Sequence, residues 1–233
     1  MAKSTLLNFT QNMNITTVQL NSSDTYQAVQ VAVTSAGSNL TPGTRTFTLA
    51  GGTTVSGGIG AATFTATVKG AAGAGYVAGP LSISSFGDYT VGAGPTASAN
   101  AATVDSGSTN ATFAVTVGII KPLYTASTND AVVKAINVSS TDSVARIMTL
   151  YEQDVASGVV NLIGSINIPA NAGTGSGTTA SIDLLGGTLL PSLPYDANGK
   201  RVLPMKAGTK LFVSVPAITA STYMSVITFV EEY

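Results

Sequence analysis

Ala62-Thr63-Phe64-Thr65-Ala66-Thr67-Val68 returns 49 positions later as Ala111-Thr112-Phe113-Ala114-Val115-Thr116-Val117. Apolar and small polar residues alternate in both stretches, the period of a half-buried strand. The likeness extends upstream. Tyr26-Gln27-Ala28 is echoed by Tyr76-Val77-Ala78, and Val31, Val33, Ser35 and Gly37 by Leu81, Ile83, Ser85 and Gly87. After a one-residue slip, Ser38-Asn39-Leu40-Thr41 aligns with Gly87-Asp88-Tyr89-Thr90. A repeated β unit rich in Gly, Thr and Ala builds scaffolds that present surface.

Similar alternation recurs along the whole chain. It marks Ile15–Leu20, Tyr26–Thr34, Arg45–Leu49, Ala61–Val68, Leu81–Ser85 and Ala111–Val117. It continues in Val132–Val138, Arg146–Tyr151, Val159–Ile168, Lys210–Val215 and Tyr223–Val230. The runs are rich in Val, Ile, Thr, Phe and Tyr, with Gly, Asn, Ser and Pro between them. No window carries a capped helical stripe; Ala28–Ala36 and Ala97–Val104 suit either state because alanine tolerates both. The expected fold is all-β: two β-sandwich or jelly-roll-like modules, the first built from a duplicated β unit.

Charge density divides the chain. Residues 1–120 hold three basic and three acidic side chains, and residues 121–233 hold seven and eight. Gly118-Ile119-Ile120-Lys121-Pro122 therefore reads as a boundary, with the proline limiting strand continuation. This gives an arm and first strand over 1–25, a Gly/Thr/Ala-rich domain over 26–120 (repeats 26–70 and 76–118) and a C-terminal sandwich over 121–233. Gly70–Gly75 and Asn171–Thr179 read as loops, since glycine-rich runs lose much backbone entropy on ordering.

Only 9% of the residues are charged and the net charge is −1, against roughly 25% charged in ordinary domains. Such a chain has no electrostatic footprint for nucleic acid or anionic membrane. It also lacks the repulsion that keeps monomers apart, so neighbouring subunits are expected to cover much of its surface. There is no cysteine and hence no disulfide framework. No apolar run is long enough to span a membrane as a helix. The opening residues lack the apolar core of a signal peptide, so use without secretion is expected.

The inventory for catalysis is thin. The chain contains no histidine, which removes Ser-His-Asp and Cys-His chemistry and zinc sites of the His or Cys type. Glu152 and Asp154 lie two apart on one strand face, whereas a glycosidase needs carboxylates opposed across a sugar. Asp196-Ala197-Asn198-Gly199 offers oxygens like the start of a calcium loop, but Lys200 and Arg201 follow. It reads instead as a hairpin turn whose Asn-Gly accepts positive φ. Gly57-Gly58-Ile59-Gly60 and Gly70–Gly75 lack the Gly-Lys-[Ser/Thr] of a phosphate loop. Lys200, Arg201, Lys206 and Lys210 form the one basic cluster, with no interleaved aromatics to stack bases. A non-enzyme with no cofactor and no metal is expected.

Several stretches resemble tailed-bacteriophage virion proteins. In the second half these are Leu123-Tyr124-Thr125-Ala126-Ser127, Ala131 to Thr141, Ile166-Asn167-Ile168-Pro169-Ala170 and Leu203-Pro204-Met205-Lys206-Ala207-Gly208-Thr209-Lys210-Leu211. In the first half they are Phe86-Gly87-Asp88-Tyr89-Thr90 and Gly60 to Val68, similar to units of phage fibre, tail and head-surface proteins. The first repeat departs from that pattern, with Leu40 where an aromatic is expected. The resemblance implies a structural protein assembled in bacterial cytoplasm, with the major capsid protein or other virion proteins as partners. It points first to a trimeric head decoration or cement protein. A tail, neck or fibre component is the alternative, and a cell-surface adhesin or carbohydrate-binding module is a rival from another class. The residues expected to meet a partner are Lys3, Leu6, Leu7 and Phe9 in the arm, Thr174 and Ser176 in one loop, and Leu190, Pro191, Leu193 and Pro194 in another.

Overall fold

The computed structural model describes residues 12–49, 51–68, 75–76, 81–90, 111–174, 180–186, 190 and 192–233. Every regular element among them is a strand. In chain order these are β1 (Asn12–Asn21), β2 (Tyr26–Ser35), β3 (Gly43–Thr48), β4 (Thr63–Val68), β5 (Ser82–Ser85), β6 (Thr112–Ala126) and β7 (Ala131–Ser140). There follow β8 (Arg146–Asp154), β9 (Val160–Ile168), β10 (Ile182–Asp183), β11 (Leu203–Met205), β12 (Thr209–Val215) and β13 (Tyr223–Glu232).

They form three antiparallel sheets. Sheet I runs β1-β13-β7, with β10 and β11 both on the far side of β7; sheet II runs β2-β6-β12-β8-β9; sheet III runs β3-β4-β5. Two apolar cores lie between them. In the first, Val133, Ile136, Val138, Val226 and Val230 of sheet I meet Leu123, Leu150, Ile168, Leu211 and Val213 of sheet II. In the second, Phe47, Phe64, Val68 and Ile83 of sheet III meet Val31, Phe113, Tyr151, Val160 and Phe212 of sheet II. Sheet II is thus covered on both faces, and β12 shows why its sequence does not alternate cleanly. Leu211, Val213 and Val215 point into one core while Phe212 points into the other, stacking on Tyr151 at 5.5 Å.

β6 belongs to both cores, contributing Phe113 to one and Ile119, Leu123 and Ala126 to the other. Its fifteen residues run unbroken through the step in charge density at Lys121. Pro122 does not end the strand. A register shift against β12 falls beside it, with Leu211 opposite Tyr124 and Phe212 opposite Pro122. Bulges are among the few sheet positions where a missing N–H is tolerated. Gly118 is needed at the crossing: a Cβ there would stand 2.7 Å from the Val215 carbonyl oxygen.

The two sequence repeats exchange strands. The early strand of each pairs with the late strand of the other, in matching registers. In β2–β6, Ala32 faces Ala114, Val33 faces Phe113 and Ser35 faces Thr112, with Thr34 bulged out. In β5–β4, the aligned residues Ser82, Ile83 and Ser85 face Thr65, Phe64 and Thr63, and the aligned Ser84 is bulged out. Aligned residues also meet directly: the Leu81 N–H donates to the Val31 carbonyl at 3.0 Å. Gly37 and Gly87 both hold positive φ, 70° and 66°. Leu40 and Tyr89 are both fully buried, so leucine fills the place of the expected aromatic.

Candidate interaction surface

Of the residues expected to meet a partner, Lys3, Leu6, Leu7, Phe9, Ser176 and Pro191 lie outside the described residues. The structure places the other four. Thr174 is half-buried in a turn, its Oγ1 donating to the Asn171 carbonyl at 2.9 Å. Leu190 and Leu193 are buried in the first core. Leu190 packs so closely on Gly164 that a Cβ there would come within 2.3 Å of its Cδ2. Between β10 and β11, these two leucines are anchored in the body of the protein. Pro194 is exposed, and its carbonyl accepts from the Val202 N–H at 3.0 Å.

Beyond Pro194, the chain forms a hairpin closed by a bridge between Tyr195 and Arg201. One Asp196 carboxylate oxygen accepts from the N–H groups of Asn198 and Lys200, each at 2.9 Å. Those backbone bonds, that from Lys200 foremost, hold the Asp196 carboxyl below the usual range. Positive φ occurs at Gly199 (72°) and not at Asn198. The turn is therefore type I followed by a glycine bulge, where the Asn-Gly pair suggests type I′. Arg201 is fixed by hydrogen bonds to the Leu190 carbonyl and to the Tyr195 hydroxyl, and its guanidinium lies 4.9 Å from the Tyr195 ring centre.

This hairpin stands beside the outer face of sheet I and encloses a groove with it. One part, about 410 Å³, is lined by Lys134, Asp183, Leu185, Tyr195, Lys200 and Arg201 among others. A contiguous part, about 580 Å³, shares Lys134, Ala135 and Lys200 and reaches Asn137, Asn198, Phe229 and Met13. Lys134 Nζ pairs with Glu231 Oε2 at 2.9 Å, which raises the pKa of the ammonium. The Tyr233 hydroxyl donates to the same oxygen at 2.9 Å. Sequence reading missed this cluster because its members are scattered from residue 13 to residue 231.

Next to the groove, β1 forms one edge of sheet I, and among the described residues it pairs with β13 alone. Its ten residues include no charge and no proline. Met13 and Ile15, 54% and 60% exposed, lie opposite Glu231 and Phe229. Ile147 on β8 and Leu162 on β9 are exposed as well.

Among the described residues, the most deeply buried carboxylate is structural. Asp142 accepts from Thr219 Oγ1 at 2.6 Å, Arg146 Nε at 2.8 Å, and the N–H groups of Val144 and Thr219 at 2.9 and 3.1 Å. Burial alone would raise its carboxyl, but these donors outweigh it and bring the pKa down to about 2. Asp154 likewise caps the turn after β8, accepting from Ala156 and Ser157 N–H. Among the described residues no group of three or more acidic side chains is placed to hold a metal ion. No protein-family model matches the chain, and no curated protein matches it.

Proposed function

We propose that this chain is a structural protein of a bacteriophage particle, binding the outside of the head shell as a decoration protein and working as a homo-oligomer, a trimer on the resemblance. The observation that carries the reading is the β1 edge. β6 lies beside β1, the Leu123 carbonyl accepting from Thr16 Oγ1 at 2.8 Å. Among the described residues, however, no second strand joins the β1 backbone ladder. A long edge without charge or proline is a liability in a free monomer. Natural proteins blunt such edges unless something pairs with them. Here the adjoining face also exposes Met13 and Ile15, and the whole chain carries few charges to discourage association.

The mechanism is mechanical. Stiff β layers span joints between shell subunits, and each copy adds modest free energy that a symmetric array multiplies. The reciprocal registers of the repeats support reading the first half as a duplicated unit, a compact way to build a stiff layer. Phage heads stripped of the chain, mixed with the purified protein and sedimented, test the proposal. Saturable uptake onto the shell supports it. Recovery of all the protein in the supernatant overturns it.

A further inference from the structure

The groove on the outer face of sheet I has a chemistry of its own, independent of the virion reading. Its two parts, about 410 and 580 Å³, each lie in the size class of small-ligand sites, roughly 300–1,000 Å³. Much of its floor is the face of sheet I, and β10 and β11 pair the adjoining edge of β7 on either side of it, so it offers a peptide little backbone ladder to join. Its charges also cancel: Lys134, Lys200 and Arg201 are matched by Asp183, Asp196 and Glu231. That balance disfavours phosphate, nucleotide and acidic polymer alike.

What remains open is a set of hydrogen-bonding groups, of no net charge together, beside a ring. Asp183 spends Oδ1 on the Leu185 and Ile136 N–H groups, and Asp196 spends Oδ1 on its own turn. The Oδ2 atom of each takes no hydrogen bond among the described residues, leaving two acceptors. The Asn137 and Asn198 amides supply both donor and acceptor, and Lys200 supplies a donor. Tyr195 lines the groove and is 61% exposed, with Arg201 over its ring. Arg201 also pins the Tyr195 hydroxyl, which fixes the ring plane in advance of any ligand.

We propose that this groove binds a short run of a neutral saccharide. The C–H face of a sugar ring lies on Tyr195. Its hydroxyls bridge the carboxylate oxygens of Asp183 and Asp196 and the amides of Asn137 and Asn198. Adjacent hydroxyls suit carboxylates and amides because each can donate and accept at once. The continuation toward Phe229 and Met13 takes the next unit of the chain.

The test is saturation-transfer NMR on the whole protein. The probes are a ladder of neutral oligosaccharides of hexoses and N-acetylhexosamines, with a uronate oligosaccharide for comparison. Binding of a neutral member, lost by about tenfold or more in affinity in Tyr195→Ala and weakened in Asn198→Ala, is expected. Thermal melts matching the parent show that both variants are folded, and Asn198 sits at an exposed turn that tolerates alanine. No saturation transfer to any neutral probe overturns the proposal. So does a preference for the uronate, or binding unchanged in both variants. None of these results bears on whether the chain occurs in virions.

Discussion

Phe64 and Phe113 occupy the same place in the two repeats, and their rings meet edge to face at 5.0 Å. Each is fully buried, and each sits opposite the aligned Ile83 or Val33 on its partner strand. Phe47 and Tyr76 complete the cluster, with Phe47 at 5.1 and 5.2 Å from the two rings. Truncating either phenylalanine to alanine is expected to cost about 3–5 kcal/mol in urea unfolding. Because the rings share one cavity, the double variant should lose less than the sum by about 0.5–3 kcal/mol. Strict additivity would contradict a shared core between the repeats.

Gly118 tests the continuity of β6. Alanine there meets the Val215 carbonyl at 2.7 Å, and both partners are backbone within paired strands. Gly118→Ala is expected to destabilise by about 2 kcal/mol or more. Gly199→Ala, which meets nothing within 4 Å but keeps positive φ, should cost only about 1 kcal/mol. Equal losses in thermal melts would argue against the close approach of Gly118 in β6 to the Val215 carbonyl at the end of β12.

Asp142 sets a limit on acid stability. Its pKa falls from 3.8 to about 2 on folding, so its contribution is fully present above the unfolded value. That contribution disappears as pH drops from about 4 toward 2, and is on the order of 2 kcal/mol. Asp142→Asn also strands Arg146, so a loss of about 3 kcal/mol is expected at pH 7. The gap between variant and parent should narrow below pH 4. A gap independent of pH would contradict an ionised, hydrogen-bonded Asp142.

The β1 edge gives a variant that separates folding from binding. Ile15 is exposed, so Ile15→Lys should change monomer stability by no more than about 0.5 kcal/mol. A lysine on an edge strand opposes pairing with another strand. Uptake onto stripped heads should therefore fall sharply in sedimentation. Full uptake by this variant would show that the edge is not the contact.

Much of the fold was legible in the sequence because burial on one face imposes a period of two. The runs from Ile15–Leu20 to Tyr223–Val230 coincide with strands. Three features escaped. β10 and β11 are two and three residues long, too short to show a period. Gly118 and Pro122 carry a breaker signature, yet one permits a close crossing and the other sits at a bulge, facts fixed by β12 far along the chain. Leu190 and Leu193 lie among loop residues whose inward anchoring only tertiary packing decides. The groove was hidden for the same reason: Tyr195 and Arg201 are near in sequence, but Asn137, Asp183 and Phe229 reach them only through sheet I.

The decisive measurement for a head-decoration role is quantitative mass spectrometry on purified particles, comparing the copy number of this chain with that of the major shell protein. A fixed, large fraction of the shell copies is expected, as an array over the head requires. A handful of copies would place the chain in the neck, tail or fibres instead, and its absence from the particle would contradict a virion role altogether.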